Sequence, residues 1–143
     1  MFSKACEYGI KSMIFIAQYS ERESRVSLKE IAGEIKSPVA FTAKIMQILS
    51  REGLLDSSRG ATGGFSLAKS AKKITLAQIV SAIDGDKVFT GCGLGLEQCN
   101  AIKPCPVHEK FAGIRDEISL MLHSTSLLEL SEGVTKGLSF LTR

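Results

Sequence analysis

The sequence predicts a mainly α-helical fold carrying one small β element, and three observations predict it. Apolar residues recur at helical spacing in five separate segments. A single Gly-rich stretch, residues 54–67, reads instead as strand, turn and strand. Three of the four cysteines crowd into residues 92–108, a loop that interrupts the helical pattern. A chain of 143 residues suits one domain, or a small domain with an appended dimerisation element. No apolar run approaches the roughly 20 residues of a membrane span, so no membrane partner is expected.

The first helix is expected over residues 2–19, because Ile10, Met13, Ile14 and Ala17 form one apolar stripe. Cys6 and Glu7 fall on its first turn, most simply a small core residue and a solvated charge. A polar link follows over residues 21–25. Ser27 and Glu30 have the spacing of a capping box, and Leu28, Ile31, Ala32 and Ile35 give a helix of about two turns that stops at Lys36. Ser37 is placed to cap the next helix, with Pro38 at its first position. Phe41, Ile45, Ile48 and Leu49 would be its buried face and Gly53 its stop.

Two short helices joined by a tight turn make a helix-turn-helix, with the second as the reader. Its exposed face would carry Ala40, Thr42, Ala43, Lys44, Gln47 and Arg51. As a DNA reader, Ala40, Thr42 and Ala43 meet base edges or thymine methyls, while Lys44 and Gln47 hold phosphates or reach an edge. The same residues would equally suit a solvated helix face. The next segment of the chain decides between the two. Strands around Ser58, Arg59 and Gly60, with Phe65 and Leu67 facing inward, make a wing directly after the reader. Arg59 at the tip is placed to enter a minor groove or clamp a phosphate. No GxxxxGK(S/T) is present to turn the glycines into a nucleotide loop. Charge agrees: the formal total is only +3, yet residues 36–73 hold seven basic and two acidic residues, and residues 91–143 five basic and six acidic. Residues 1–88 are therefore expected to form a winged helix-turn-helix domain that binds double-stranded DNA.

Thr75 and Gln78 repeat the capping-box spacing, and Leu76, Ile79, Val80 and Ile83 give a helix ending near Gly85. The loop of residues 89–106 then holds Cys92, Cys99 and Cys105 among glycines and polar residues, which is not core composition. With no leader at the start of the chain, a reducing cytoplasm is expected, where structural disulfides are rare. Three soft thiolates in a flexible loop point to zinc, cuprous copper or an iron-sulfur cluster, with a redox dithiol as the other reading. Pro106 would open a helix that sets Cys105 and His108 on one face, its free amides turned to whatever the loop holds. Beyond it, Val107, Phe111, Ile114, Ile118 and Met121 recur in alternating steps of four and three. That seam suits a dimer helix, or burial against the chain's own core. Residues 107–143 are thus expected to hold a dimerisation helix and a packing segment of Leu127, Leu128, Leu130, Leu138, Phe140 and Leu141. His123 has no partner in the sequence. Nothing offers an acid-base pair, so neither an enzyme nor a small-molecule substrate is expected.

With these elements in place the sequence resembles the IscR/NsrR-type regulators of the Rrf family. The resemblance rests on the run Gly53-Leu-Leu-Asp-Ser-Ser-Arg-Gly-Ala-Thr-Gly-Gly-Phe-Ser-Leu-Ala68, the helix of residues 76–85, and the loop Cys92, Cys99, Cys105 with Pro106 and His108. It covers nearly the whole chain in the family's order. It implies a cytoplasmic homodimeric transcription factor whose operator binding responds to an iron-sulfur cluster. By position it implies Cys92, Cys99 and Cys105 as ligands, and Ala40, Ala43 and Arg59 at DNA-reading positions. The fourth ligand it implies is His108, which suits the favoured two-iron, two-sulfur centre, or the partner subunit's Glu7, which suits a four-iron, four-sulfur centre. Cys6, beside Glu7, is a further thiolate. The first cysteine gap is one residue longer than in the best-known members, and Ala40 and Ala43 stand where some relatives carry polar side chains.

Overall fold

The first helix is set by a cap and a stripe. Ser3 Oγ accepts the Cys6 N–H at 3.0 Å, and the side chains of Met13 and Ile16 are fully buried. The structure, a computed structural model, describes residues 1–22 and 24–143, with the backbone alone at Glu21. Glu23, in the expected polar link, lies outside the described residues. Their order is α1 (Lys4–Ala17), a 3-10 turn (Ser20–Arg22), α2 (Leu28–Glu34), α3 (Val39–Arg51), β1 (Leu55–Ser58), β2 (Gly64–Leu67), a second 3-10 turn (Ala71–Lys73), α4 (Leu76–Asp84), α5 (Lys87–Thr90), α6 (His108–Ser124) and α7 (Leu127–Thr135). This is the mainly helical winged arrangement that the sequence predicts. No described helix is long and apolar enough to cross a membrane.

α2 and α3 meet through Lys36, whose φ of 53° is left-handed and turns the chain sharply between them. Ser27 caps α2 by accepting the Glu30 N–H at 3.2 Å, but among the described residues Glu30 does not return the bond that would complete the box. The start of α3 differs from the expected one by a residue. Pro38 is its N-cap and offers no side-chain bond, while Ser37 Oγ hydrogen-bonds Thr42 Oγ1 instead.

The wing pairs antiparallel with Leu55 opposite Leu67 and Ser58 opposite Gly64. Its base is widened by Val26, which exchanges both backbone bonds with Phe65 at 2.8 and 2.9 Å. Phe65 and Leu67 pack against the main core, as the alternation predicts. That core sits between α1, α2, α3, α4 and α7, around Met13, Ile16, Ile31, Ile45, Leu49 and Ile79. Each such side chain contributes about 1.5–3 kcal/mol by leaving water.

The end of the chain is a packing segment in part: Leu127, Leu128, Leu130 and Leu141 join the main core, while Leu138 and Phe140 do not. Leu127 is fully buried in the same core, and its N–H donates to the Ile74 carbonyl at 2.8 Å, so α7 belongs with the wing-bearing helices. Leu138 and Phe140 are exposed, because α7 stops at Thr135 and Gly137, at φ 71°, turns the chain outward. A second small core of Cys6, Ala77, Val80 and Leu122, with Ile118 and Phe89 against it, joins α1 and α4 to α6.

Candidate DNA interface and cysteine site

The reading helix presents Ala40, Lys44, Gln47 and Arg51 to solvent, with Ala43 half-buried. Thr42 does not belong with them. It is fully buried, and its hydroxyl donates to the Pro38 carbonyl at 2.8 Å while bonded to Ser37. Back-bonding to the carbonyl four residues earlier holds the side chain inward, so Thr42 shapes the turn and touches no base. Val39, exposed in the first turn of α3, is a surface position that the periodicity did not single out.

Ser58, Arg59 and Gly60 lie exposed at the wing tip, where Gly60 at φ 99° makes the turn. Gln47 and Ser50 of α3 share one groove with Ser57, Ser58 and Arg59, and among the described residues no acidic one lines it. The wing is braced from outside by a residue that sequence reasoning missed. Arg25 Nη1 donates to the carbonyls of Asp56 and Gly64, each at 3.3 Å, one on either strand. Its position beside the strand-like Val26 was the available signal.

The loop after α4 opens with α5, whose four residues are too short to show a period. Asn100 Oδ1 accepts the N–H groups of Ile102 at 2.8 Å and Lys103 at 3.2 Å, an Asx turn that folds the loop back on itself. The four expected donors then meet in two pairs: Cys92 Sγ and Cys105 Sγ are 3.7 Å apart, and Cys99 Sγ and His108 Nδ1 are 3.4 Å apart. All four residues are half-buried. Cys92 is held below the usual thiol pKa, first by the backbone N–H groups of Leu94 and Leu96 and further by Cys105 and Gly95, with burial opposing.

Pro106 does not open the helix. The Cys105 carbonyl accepts the His108 N–H at 3.0 Å in a separate turn, Val107 is the N-cap, and α6 starts at His108. Glu7, the other expected fourth ligand, pairs with Lys4 at 3.3 Å. Cys6 is enclosed in the second core, where burial first, then Asp84 and Glu7, pushes its thiol up to about 12. A thiol so held is a core group and not a ligand.

A helix-turn-helix followed at once by a braced two-stranded wing defines a winged-helix DNA-binding protein. The Rrf2 family profile, described as an iron-dependent transcriptional regulator, matches residues 2–133. The chain belongs to the Rrf2 family, whose members among its relatives are transcriptional regulators and not enzymes. It is 33% identical over 132 residues to an HTH-type transcriptional regulator of Aquifex aeolicus (strain VF5), covering 91% of this chain and 90% of that one. To the HTH-type transcriptional regulator IscR of Photorhabdus laumondii it is 31% identical, over 86% of this chain and 74% of the other. Among solved structures it is similar to CymR, the global cysteine regulator of B. subtilis, at 26% identity and a TM-score of 0.76, covering 92% and 96% of the two chains. IscR of T. potens, at 23% identity over 97% and 91%, has the same fold with a TM-score of 0.76.

Proposed function

We propose that two copies of this chain bind an operator, and that an iron-sulfur cluster held by Cys92, Cys99, Cys105 and His108 sets their affinity for it. The observation that carries this reading is the two-by-two grouping of the donors. Two thiolates on one tetrahedral metal with bonds near 2.3 Å lie about 3.8 Å apart, and a thiolate and an imidazole about 3.6 Å. The separations of 3.7 and 3.4 Å are close to these. A single zinc would draw all four donors around one point, and among the described residues no three His, Cys, Asp or Glu side chains gather that way. Two irons with two protein donors each make no such demand. The donor set therefore fits a two-iron, two-sulfur centre, with Cys92 and Cys105 on one side and Cys99 and His108 on the other.

Such a centre, when bound, supplies a charge that changes with redox state and is lost with the iron. The rest is done by the chain. The Leu94 and Leu96 amides keep Cys92 disposed to bind as a thiolate. His108 is both a donor and the first residue of α6, so what the loop holds is felt by that helix directly. On the DNA side, Ala40, Ala43 and Gln47 read base edges, while Lys44, Ser58, Arg59 and the Gly60 backbone hold the phosphates or the minor groove beside them. Differential contacts of roughly 1–3 kcal/mol between the two states of the loop would change operator affinity about 5- to 150-fold.

One observation favours a second reading. Cys92 and Cys105 are near enough to close a disulfide by moving from 3.7 Å to about 2.05 Å, giving two protons and two electrons to an oxidant. The experiment is to purify the protein without oxygen, assay iron and acid-labile sulfide, and measure operator affinity for loaded and demetallated protein at one salt concentration. Brown protein with an affinity that changes on demetallation is expected. Equal affinities would remove the sensor role, and colourless protein whose affinity responds to oxidant only while Cys92 is present would favour the thiol switch.

A further inference from the structure

Arg115 lies two helical turns beyond His108 on α6, and so on the same face of the helix. Its side chain is only 15% exposed, although Ile114 beside it is 57% exposed. That inverts the usual order, in which the guanidinium reaches water and the aliphatic residue is covered. A buried guanidinium needs acceptors, having five N–H donors and no acceptor of its own. Nη1 donates to the Gly91 carbonyl at 3.3 Å and Nη2 approaches Asp116 Oδ1 at 3.4 Å, while Nε is buried with no partner. Cys99 lies near enough to hold Arg115 above its ordinary pKa. Asp116 is 72% exposed and largely screened by water, so much of the positive charge is left to the loop.

The contacts fall at separate points of the loop. Gly91 precedes the first thiol, Cys99 is the middle one, and Arg115 and Cys92 line a common cavity of about 520 Å³. Gly93, between them in the chain, lies so close to the Phe111 ring that a Cβ there would come within 2.7 Å of it. One face of α6, from His108 through Phe111 to Arg115, is thus the surface on which the loop rests.

We propose that Arg115 is a positioning residue of the cysteine site, clamping the loop to α6 through the Gly91 carbonyl and setting its positive charge beside the thiols, so that the state of the thiols is transmitted to that helix. The proposal rests on the iron-sulfur reading for the sulfur's role in a cluster, while the clamp itself is a property of the apoprotein. A positive charge beside such a site stabilises the more negative, reduced form and raises the reduction potential.

The full chain carries the test, as Arg115→Gln and Arg115→Lys. In the apoprotein, amide hydrogen exchange over residues 91–105 is expected to quicken roughly tenfold in Arg115→Gln, as one buried charge-assisted clamp is lost. In protein reconstituted with iron and sulfide without oxygen, the midpoint potential is expected to fall in Arg115→Gln and to fall less in Arg115→Lys, which keeps the charge but loses the fork. Unchanged loop exchange, or an unchanged potential in a Gln variant with wild-type iron and sulfide, overturns the proposal. Should the Gln variant fail to fold, the Lys variant carries the same two measurements. A wild-type chain that takes up no iron would defeat the cluster reading instead, and exchange in the apoprotein would then decide the clamp.

Discussion

Thr42 and Cys6 are single residues whose roles turn on burial. A sequence shows which residues share a helical face but not how wide the buried arc is, and α3, pressed against α1, α2 and the wing, buries Thr42 along with Ile45, Met46 and Leu49. The polar type of Thr42 suggests an outward position, and a local bond to Pro38 explains the inward one. Cys6 goes the other way: its simplest reading, a core thiol, is what the packing gives. It also makes a pH prediction. The folded thiol is raised to about 12 from an ordinary 9.0, so between those values the folded state holds a proton that the unfolded state has lost. Stability is then fully present below about pH 9 and falls as pH rises toward 12, by on the order of 2 kcal/mol at pH 11. Urea midpoints from pH 8 to 11 should decline less steeply in Cys6→Ala than in the wild type. Parallel curves would show that the thiol is not the group responsible.

Among the elements, the wing has a geometry that depends on a missing side chain. Gly64 sits at φ 139°, and a Cβ there would come within 2.6 Å of the Val26 carbonyl that bonds Phe65. Gly60 at the tip is also left-handed, at φ 99°, but nothing lies within 4 Å of where its Cβ would be. Gly64→Ala is therefore expected to cost about 1–3 kcal/mol and to weaken operator binding, since the strand must leave Val26. Gly60→Ala introduces only local strain and should cost less in both chemical denaturation and binding; equal effects would mean that the Val26 pairing does not position the wing. Much of this architecture is legible in the sequence. The capping box of Thr75 and Gln78, the Lys36 and Gly53 stops and the strand-turn-strand of the wing are local signals and stand at their expected places. The features that escape it are set by long-range contact or by brevity: the brace from Arg25 to both strands, the four-residue α5, and the return of α7 to the first core. In the cysteine loop, composition and spacing point to Cys92, Cys99 and Cys105 as one group, but the approach of Cys92 to Cys105 and of Cys99 to His108 depends on the Asn100 turn and on α6 starting at His108, neither of which has a periodic signature.

At the scale of the whole molecule, α6 has two apolar faces and only one is used. Leu122 and Ile118 pack into the second core and Phe111 meets the cysteine loop, while Ile114 and Met121, further round the helix, remain exposed. Of the expected seam of Val107, Phe111, Ile114, Ile118 and Met121, Ile118 is turned into the second core, and Val107, Ile114 and Met121 would be left to meet a second α6. Pairing there would place two winged domains on one duplex, and helix-turn-helix dimers bind half-sites about one helical turn apart. Ile114→Glu puts a charge on that exposed face without touching either core, so the wild type is expected to sediment as a dimer and the variant, with its helical circular dichroism kept, as a monomer at the same concentration. Operator affinity should fall together with its salt dependence, the logarithmic slope dropping by about half because a monomer neutralises half as many phosphates. A variant that still sediments as a dimer would show that α6 is not the seam. One that became monomeric yet kept the full salt slope would separate dimerisation from DNA binding, and the cysteine loop would then have to act within a single winged domain.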